Sequence, residues 1–261
     1  MAATLLKLLV TLTLLLGSAL PICAQEDLTI AAAADLQPVM KEIAARFERE
    51  TGRKAKLVFG SSGNFFAQLQ NGAPFDVFLS ADMAYPKKLE ADGLTEPGSF
   101  YGYATGKIVL WVPNQSSIDV NKAGLLTVVD PALTKLAIAD PAHAPYGRAA
   151  ESALKNAGLW QQVKMKFVFG ENISQTAQFA SSGNADAAII ALSLVLSPGM
   201  KDKGRYFVIP QELYPALRQA AVVMKASAHK TAALRFVEFL KSPETQSLFA
   251  QYGFERPEKS Q

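Results

Sequence analysis

The chain reads as an α/β protein of two similar lobes, with mixed, mainly parallel sheets and a hinge between the lobes. Three observations predict this. Short apolar runs alternate with amphipathic stretches, the rhythm of strands joined by crossover helices. The rhythm breaks around "YGYATGKIVLWVP" (101–113) and then starts again. Without its first 24 residues, read as a leader, the chain of 261 still has 237, large for a single core, which points to two lobes.

The chain opens with an unbroken run of apolar residues and Thr, Leu8 to Leu16, after one early cation, Lys7. That run is too short to cross a bilayer as a helix, and it fits the apolar region of a secretory signal peptide. "PICAQED" offers cleavage after Ala24, so residues 1–24 are read as a signal peptide. A lipid anchor on Cys23 is the alternative, disfavoured by bulky Ile22 where a small residue is wanted. Cleavage removes the single cysteine, and with it any thiol, disulfide or Cys-based metal site. Removing 24 of 261 residues leaves 237, and losing Lys7 from 26 basic residues leaves 25 against 23 acidic. Such a balance offers no basic field to nucleic acid. The expectation is an exported, soluble, globular protein.

The first lobe begins with "LTIAAAA" as a buried strand. "LQPVMKEIAARFERETG" follows as an amphipathic helix with Val39, Met40, Ile43 and Phe47 on one face and Gly52 as its stop. "AKLVFG" is a strand, "FFAQLQNG" a helix and "FDVFLSAD" a buried strand. In the second run, "KLAIADP" is a strand and "GRAAESALKNAG" a helix closed by Gly158. "KMKFVFGEN" is a strand, "ISQTAQFASSG" a helix and "ADAAIIALS" a strand. "YPALRQAAVVMK" leads into a last strand, and two helices broken around Pro243 close the chain.

The tetrapeptide SSGN occurs twice, at 61–64 and 181–184. The first copy follows a strand and precedes a helix; the second follows a helix and precedes a strand. The counterpart of the second is therefore "NGAPFDVFLSAD", with Asp76 matching Asp186, and Gly183 reads as a left-handed helix stop. The first copy is a different device. Ser61 or Ser62 can cap the following helix, and Gly60 and Gly63 let the backbone come close to a ligand. The free N–H groups and positive dipole end of a helix start suit an anion.

Three further strand-to-helix junctions carry small or turn-forming residues. Asp35 lies in "AAAADL", Pro145, Tyr146 and Gly147 in "DPAHAPYGR", and Asn172, Ile173 and Ser174 in "GENISQ". Two junctions fall in each lobe, and ligands of open α/β sheets bind beyond the carboxyl ends of the strands. Convergence of four helix starts in one cleft argues for a small oxyanion. Tyr85, Tyr101, Tyr103 and Tyr214 are more readily packing residues than cleft walls. The Tyr146 hydroxyl is placed to donate to an anion.

Enzymatic readings have less support. Ser62, His143 and Asp140 could be assembled into a triad, but no nucleophile-elbow spacing accompanies them. The two histidines, His143 and His229, lie far apart without cysteine, which disfavours structural zinc. No phosphate loop or dinucleotide fingerprint is present.

On "AAAADLQPVMKEIAARFERETG", "FGSSGNFFAQLQNGAPFDVFLSAD", "ADPAHAPYGRAAESALKNAG" and "GENISQTAQFASSGNADAAIIALS", in that order, the chain resembles the periplasmic molybdate-binding proteins of ABC importers. These belong to the type II periplasmic binding proteins. The resemblance implies lobes at 25–105 with 214–261 and at 106–213, closing on molybdate or tungstate. It places the ligand contacts on Ala34, Asp35, Ser61, Ser62, Tyr146 and Ile173, the last through its backbone N–H. Molybdenum would be held only as molybdate by these same residues. It further implies a monomeric, periplasmic, non-enzymatic protein without a cofactor, partnered by the membrane subunit of an ABC permease. Two departures stand out. Some members carry Ser or Asn at Asp35, which is expected here to cap its helix and offer its backbone N–H. Some place a tyrosine where this chain has Ala191, and Tyr146 is expected to supply that hydroxyl. A carboxylate at Asp35 keeps phosphate open as an alternative, with sulfate. An exported serine hydrolase using Ser62 is the remaining rival.

Overall fold

The computed structural model describes residues 27–257; the expected signal peptide and Cys23 lie outside the described residues. The first strand, β1 (Leu28–Ala33), is buried almost throughout, as its unbroken apolar sequence requires. It runs into a 3-10 turn, Ala34–Leu36, and then α1 (Gln37–Thr51), which buries Val39, Met40, Ile43, Ala44 and Phe47 and ends at Gly52 with φ 71°. β2 (Ala55–Gly60) leads to α2 (Ser62–Gln70), and β3 (Val77–Ser80) follows. α3 (Ala84–Ala91) was not legible in the sequence, because only Pro86 and Leu89 face inward from it. The stretch 101–113 is two strands, β4 (Tyr101–Gly106) and β5 (Ile108–Pro113), separated by Lys107 and placed in different sheets.

β6 (Leu136–Ala139), α4 (Pro145–Asn156), β7 (Phe167–Gly170) and α5 (Ile173–Ser181) repeat the β-α-β-α order. β8 (Ala187–Ala191) stops earlier than its apolar run, because Leu192–Val195 turns into a short helix. β9 (Gly204–Val208), unanticipated, pairs with β5. β10 (Leu217–Val223) returns to the first sheet, and α6 (Lys230–Leu240) and α7 (Pro243–Gln251) close the chain, the latter capped by the Ser242 side chain.

The strands form two five-stranded sheets of orders β2-β1-β3-β10-β4 and β7-β6-β8-β5-β9. In each sheet the first three strands are parallel and the last two pairings antiparallel, so four of five strands point the same way. The two sheets thus repeat one plan. The acids paired from sequence also behave alike. Asp76 Oδ2 accepts from the N–H of Thr29 at 2.7 Å. Asp186 Oδ2 accepts from the N–H groups of Thr134 and Lys135 at 2.7 and 2.8 Å. Each carboxylate ties the entry of an inner strand to its neighbour. Gly183, at φ 81°, is the helix stop read from the second SSGN.

Candidate functional site

The carboxyl ends of β1, β2, β6 and β7 meet at one small cavity. The first sheet contributes Ala34 and Asp35 after β1, and Gly60, Ser61 and Ser62 after β2. The second contributes Pro145 and Tyr146 after β6, and Asn172 and Ile173 after β7. All six residues that the resemblance placed at the ligand line this space, and among the described residues no Lys, Arg or His lines it. The cavity has room for about one water-sized sphere.

The two serines are used differently, and neither caps α2 with its side chain. Ser62 Oγ accepts from the N–H of Ala81 at 2.9 Å, and its proton has no acceptor among the described residues. Ser61 Oγ donates to the carbonyl of His143 at 2.6 Å, across to the other sheet's loop. The N–H of Gly63 donates to the same carbonyl at 2.9 Å. A Cβ on Gly63 would lie 2.5 Å from that oxygen, so this approach needs glycine. Capping is displaced because Ser61 bonds across the cleft to His143, while Ser62 accepts from Ala81, just after β3 in its own half. At α5 the cap is Asn172, whose side chain accepts from the N–H groups of Ser174 and Gln175. That leaves the Ile173 N–H, in the first turn, without an intrahelical acceptor. The same holds for the Tyr146 N–H at the start of α4, whose first residue is Pro145.

Asp35 does not cap its helix. Its turn has no side-chain cap, and the carboxyl instead enters a buried network. Oδ2 accepts from Tyr146 Oη at 3.0 Å and from Gln219 Nε2 at 2.7 Å. Gln219 Nε2 also donates to Tyr146 Oη at 3.1 Å, and Tyr103 Oη donates to Gln219 Oε1 at 2.8 Å. All four side chains are buried. The Tyr146 hydroxyl therefore spends its proton on Asp35, where an anion had been expected. Asp35 Oδ1 is buried without a hydrogen-bond partner among the described residues. Burial pushes the Asp35 carboxyl up to about 6, against the lowering effect of Gln219, Tyr146 and the nearby N–H groups of Asp35 and Leu36. Burial and the negative charge of Asp35 hold the Tyr146 hydroxyl well above the usual phenol range.

Gln219 escaped the sequence reading, yet it carries a signal. In "LRQAAVV" it is a polar residue facing inward from β10, whose other residues are apolar except the exposed Arg218. Gly106 is the other missed residue: a Cβ there would lie 2.1 Å from Tyr146 Oη. Tyr103 belongs to the network, whereas Tyr85, Tyr101 and Tyr214 do not line the cavity.

Further contacts hold the two halves together around the cavity. Arg148 on α4 pairs with Asp82 at 2.6 Å and donates to Tyr85 Oη at 3.2 Å. Ser174 Oγ donates to the carbonyl of Ala34 at 2.9 Å, and Ser193 Oγ to that of Asp35 at 2.7 Å. His143 approaches Ser61, not Ser62, with Nδ1 3.0 Å from Ser61 Oγ. Its Nε2 lies 3.7 Å from Asp140, beyond a hydrogen bond, and the Asp140 carboxylate already accepts from the N–H of Ala142. The three groups lack the coupled hydrogen bonds of a nucleophilic triad.

The sequence profile of the bacterial extracellular solute-binding proteins matches residues 28–255. The chain belongs to that family. It is 40% identical over 243 residues to the molybdate-binding protein ModA of Rhodobacter capsulatus, covering 93% of both chains. It is 40% identical over 245 residues to the ModA of Azotobacter vinelandii, covering 93% of this chain and 96% of that one. The solved periplasmic molybdate-binding protein of Azotobacter vinelandii superposes with a TM-score of 0.84 at 31% identity, over 89% of this chain and 100% of the other. The two-lobed fold of this family member is that of the type II periplasmic binding proteins.

Proposed function

We propose that the protein captures molybdate, and also tungstate, in the cavity between its lobes and delivers it to the membrane subunit of an ABC permease. The observation that carries this is the convergence of four strand ends, two from each sheet, on a cationless cavity. The relatives named for molybdate binding, matched over nearly the whole chain, support the choice of anion. The chemistry is that of a donor shell. The Ser62 hydroxyl has a proton to give. Ser61, whose proton goes to His143, can serve only by exchanging that partner. The N–H groups of Ala34, Asp35, Ser62, Tyr146 and Ile173 stand at helix or 3-10 starts, where intrahelical acceptors are lacking. Hydrogen bonds to a charged acceptor are roughly twice as strong as neutral ones, at about 1.5–3 kcal/mol each.

In this reading the lobes, 25–105 with 214–261 and 106–213, part to admit the ion. They pivot about the two chain crossings, at Lys107 between β4 and β5 and at the segment between β9 and β10. Closing reforms the contacts of Ser61, Ser174 and Arg148 across the cleft, and the closed form is the one the permease reads. The protein works as a periplasmic monomer after loss of residues 1–24, as a binder and not an enzyme. Calorimetric titration with molybdate, tungstate, sulfate and phosphate tests the ligand. Tight molybdate and tungstate binding with weak sulfate and phosphate binding is the expected result; tight phosphate binding without molybdate binding would falsify it.

A further inference from the structure

The two oxygens of the Asp35 carboxyl have unequal surroundings. Oδ2 is filled, since Tyr146 Oη and Gln219 Nε2 both donate to it and such an oxygen offers about two acceptor sites. Oδ1 is buried with no hydrogen-bond partner among the described residues, and Asp35 lines the cavity. Among the described residues no cationic side chain lines the space with it. An ionised carboxylate left so is costly by itself, and a dianion brought into the same cavity adds like-charge repulsion.

We infer that Asp35 enters the complex as the neutral acid, with its proton on Oδ1 donated to an oxygen of the bound dianion. This rests on the oxyanion reading of the cavity and extends it. The balance is simple: one carboxylate, one proton from solvent and one dianion give a complex of carboxylic acid and dianion, with no covalent bond to the anion made or broken. Asp35 is then a specificity-determining donor. In its ionised form the same carboxyl would favour an anion bearing its own proton, such as hydrogen phosphate, so proton count decides which ligand the cavity accepts. Burial has already pushed this carboxyl up to about 6 in the empty cavity, and a dianion beside it can only push it further.

Other titratable groups surround the site. Tyr146 meets it from α4 and Tyr103 belongs to its network on β4, while Arg148 of α4 is turned to Tyr85 and Asp82 outside the lining. Asp82 lies beyond β3, paired with Arg148. His143 stands against Ser61. The substitution Asp35→Asn leaves all of these in place, so any proton they exchange persists in that variant and is subtracted. Asparagine also reproduces the acid's pattern, with one oxygen for Tyr146 and Gln219 and an N–H where Oδ1–H would be.

The test is molybdate calorimetry on the exported chain between pH 6.5 and 9, in buffers of different ionisation enthalpy. Wild type should take up close to one proton per anion at pH 8, and its Kd should weaken up to tenfold per pH unit. D35N should show neither effect and should bind more tightly than wild type at pH 9. Tight wild-type binding with no proton uptake and a flat Kd overturns the inference and leaves the molybdate reading standing. Loss of binding in a folded D35N at every pH also overturns it, since an ionised acceptor would then be required. No molybdate binding by wild type at any pH removes the oxyanion reading and this inference together.

Discussion

Tyr146 Oη and Asp35 Oδ2 lie 3.0 Å apart, joining the helix after β6 of one sheet to the turn after β1 of the other. This bond crosses the cleft, so a single phenol helps to define both the closed form and the lining of the cavity. Gly106 makes the geometry possible, because a Cβ there would lie 2.1 Å from Tyr146 Oη and 2.9 Å from Gln219 Nε2. G106A should therefore force the network apart. The expected result is a loss of about 1–3 kcal/mol in stability, read by urea unfolding, with a molybdate Kd weakened at least tenfold. An unchanged Kd would mean that the network does not shape the cavity.

The two serines should separate in mutagenesis. Ser62 has an uncommitted proton, whereas Ser61 gives its own to His143. S62A should cost about 1.5–3 kcal/mol of anion binding, the worth of a hydrogen bond to a charged group, which is roughly tenfold to a hundredfold in Kd. S61A should cost less, through a weaker lobe contact. Titration calorimetry of both variants checks the order, and a larger loss in S61A would reverse the assignment.

Arg148 couples the lobes through Asp82 and Tyr85. Its side chain is 40% exposed, so the pair is discounted toward the surface range of about 0.2–1 kcal/mol. R148A should weaken molybdate binding by about fivefold at most, mainly through faster release in stopped-flow measurements. Added salt should shrink the difference.

The carboxyl of Asp35 also makes stability depend on pH. Its folded value is pushed from 3.8 to about 6 by burial, so the folded state holds the proton more tightly than the unfolded chain. Stability therefore falls as pH rises through the window between those values, and the penalty is complete above it. At 1.36 kcal/mol per pH unit it amounts to about 3 kcal/mol. D35N lacks this penalty. Urea unfolding of both ligand-free proteins should give a stability difference that grows in favour of D35N by about that amount between pH 4 and pH 7. A difference that stays constant would show that the carboxyl does not titrate in this window.

The main elements were legible because their signals are local. The alternation of apolar runs with helical faces marked the strands and helices that build each half, and Gly52, Gly158 and Gly183 marked helix stops. The four junctions were legible for the same reason: small and polar residues between a strand and a helix leave N–H groups free wherever the chain folds. α3 and β9 were missed because too few of their residues face inward to make a period.

The sequence by itself determined the two-part α/β plan, the equivalence of Asp76 and Asp186, and the four strand-to-helix junctions that supply most of the cavity lining. Only the tertiary structure decided what their polar atoms do. Ser61 and Asp35 were expected to cap helices, yet each found a partner more than 80 residues away. Gln219 and Gly106 entered the site only because β10 and β4 lie side by side under Tyr146. Periodicity records which face of an element is buried. A hydroxyl or carboxyl instead bonds to whatever donor or acceptor packing brings within about 3 Å, and that is decided when the two sheets meet.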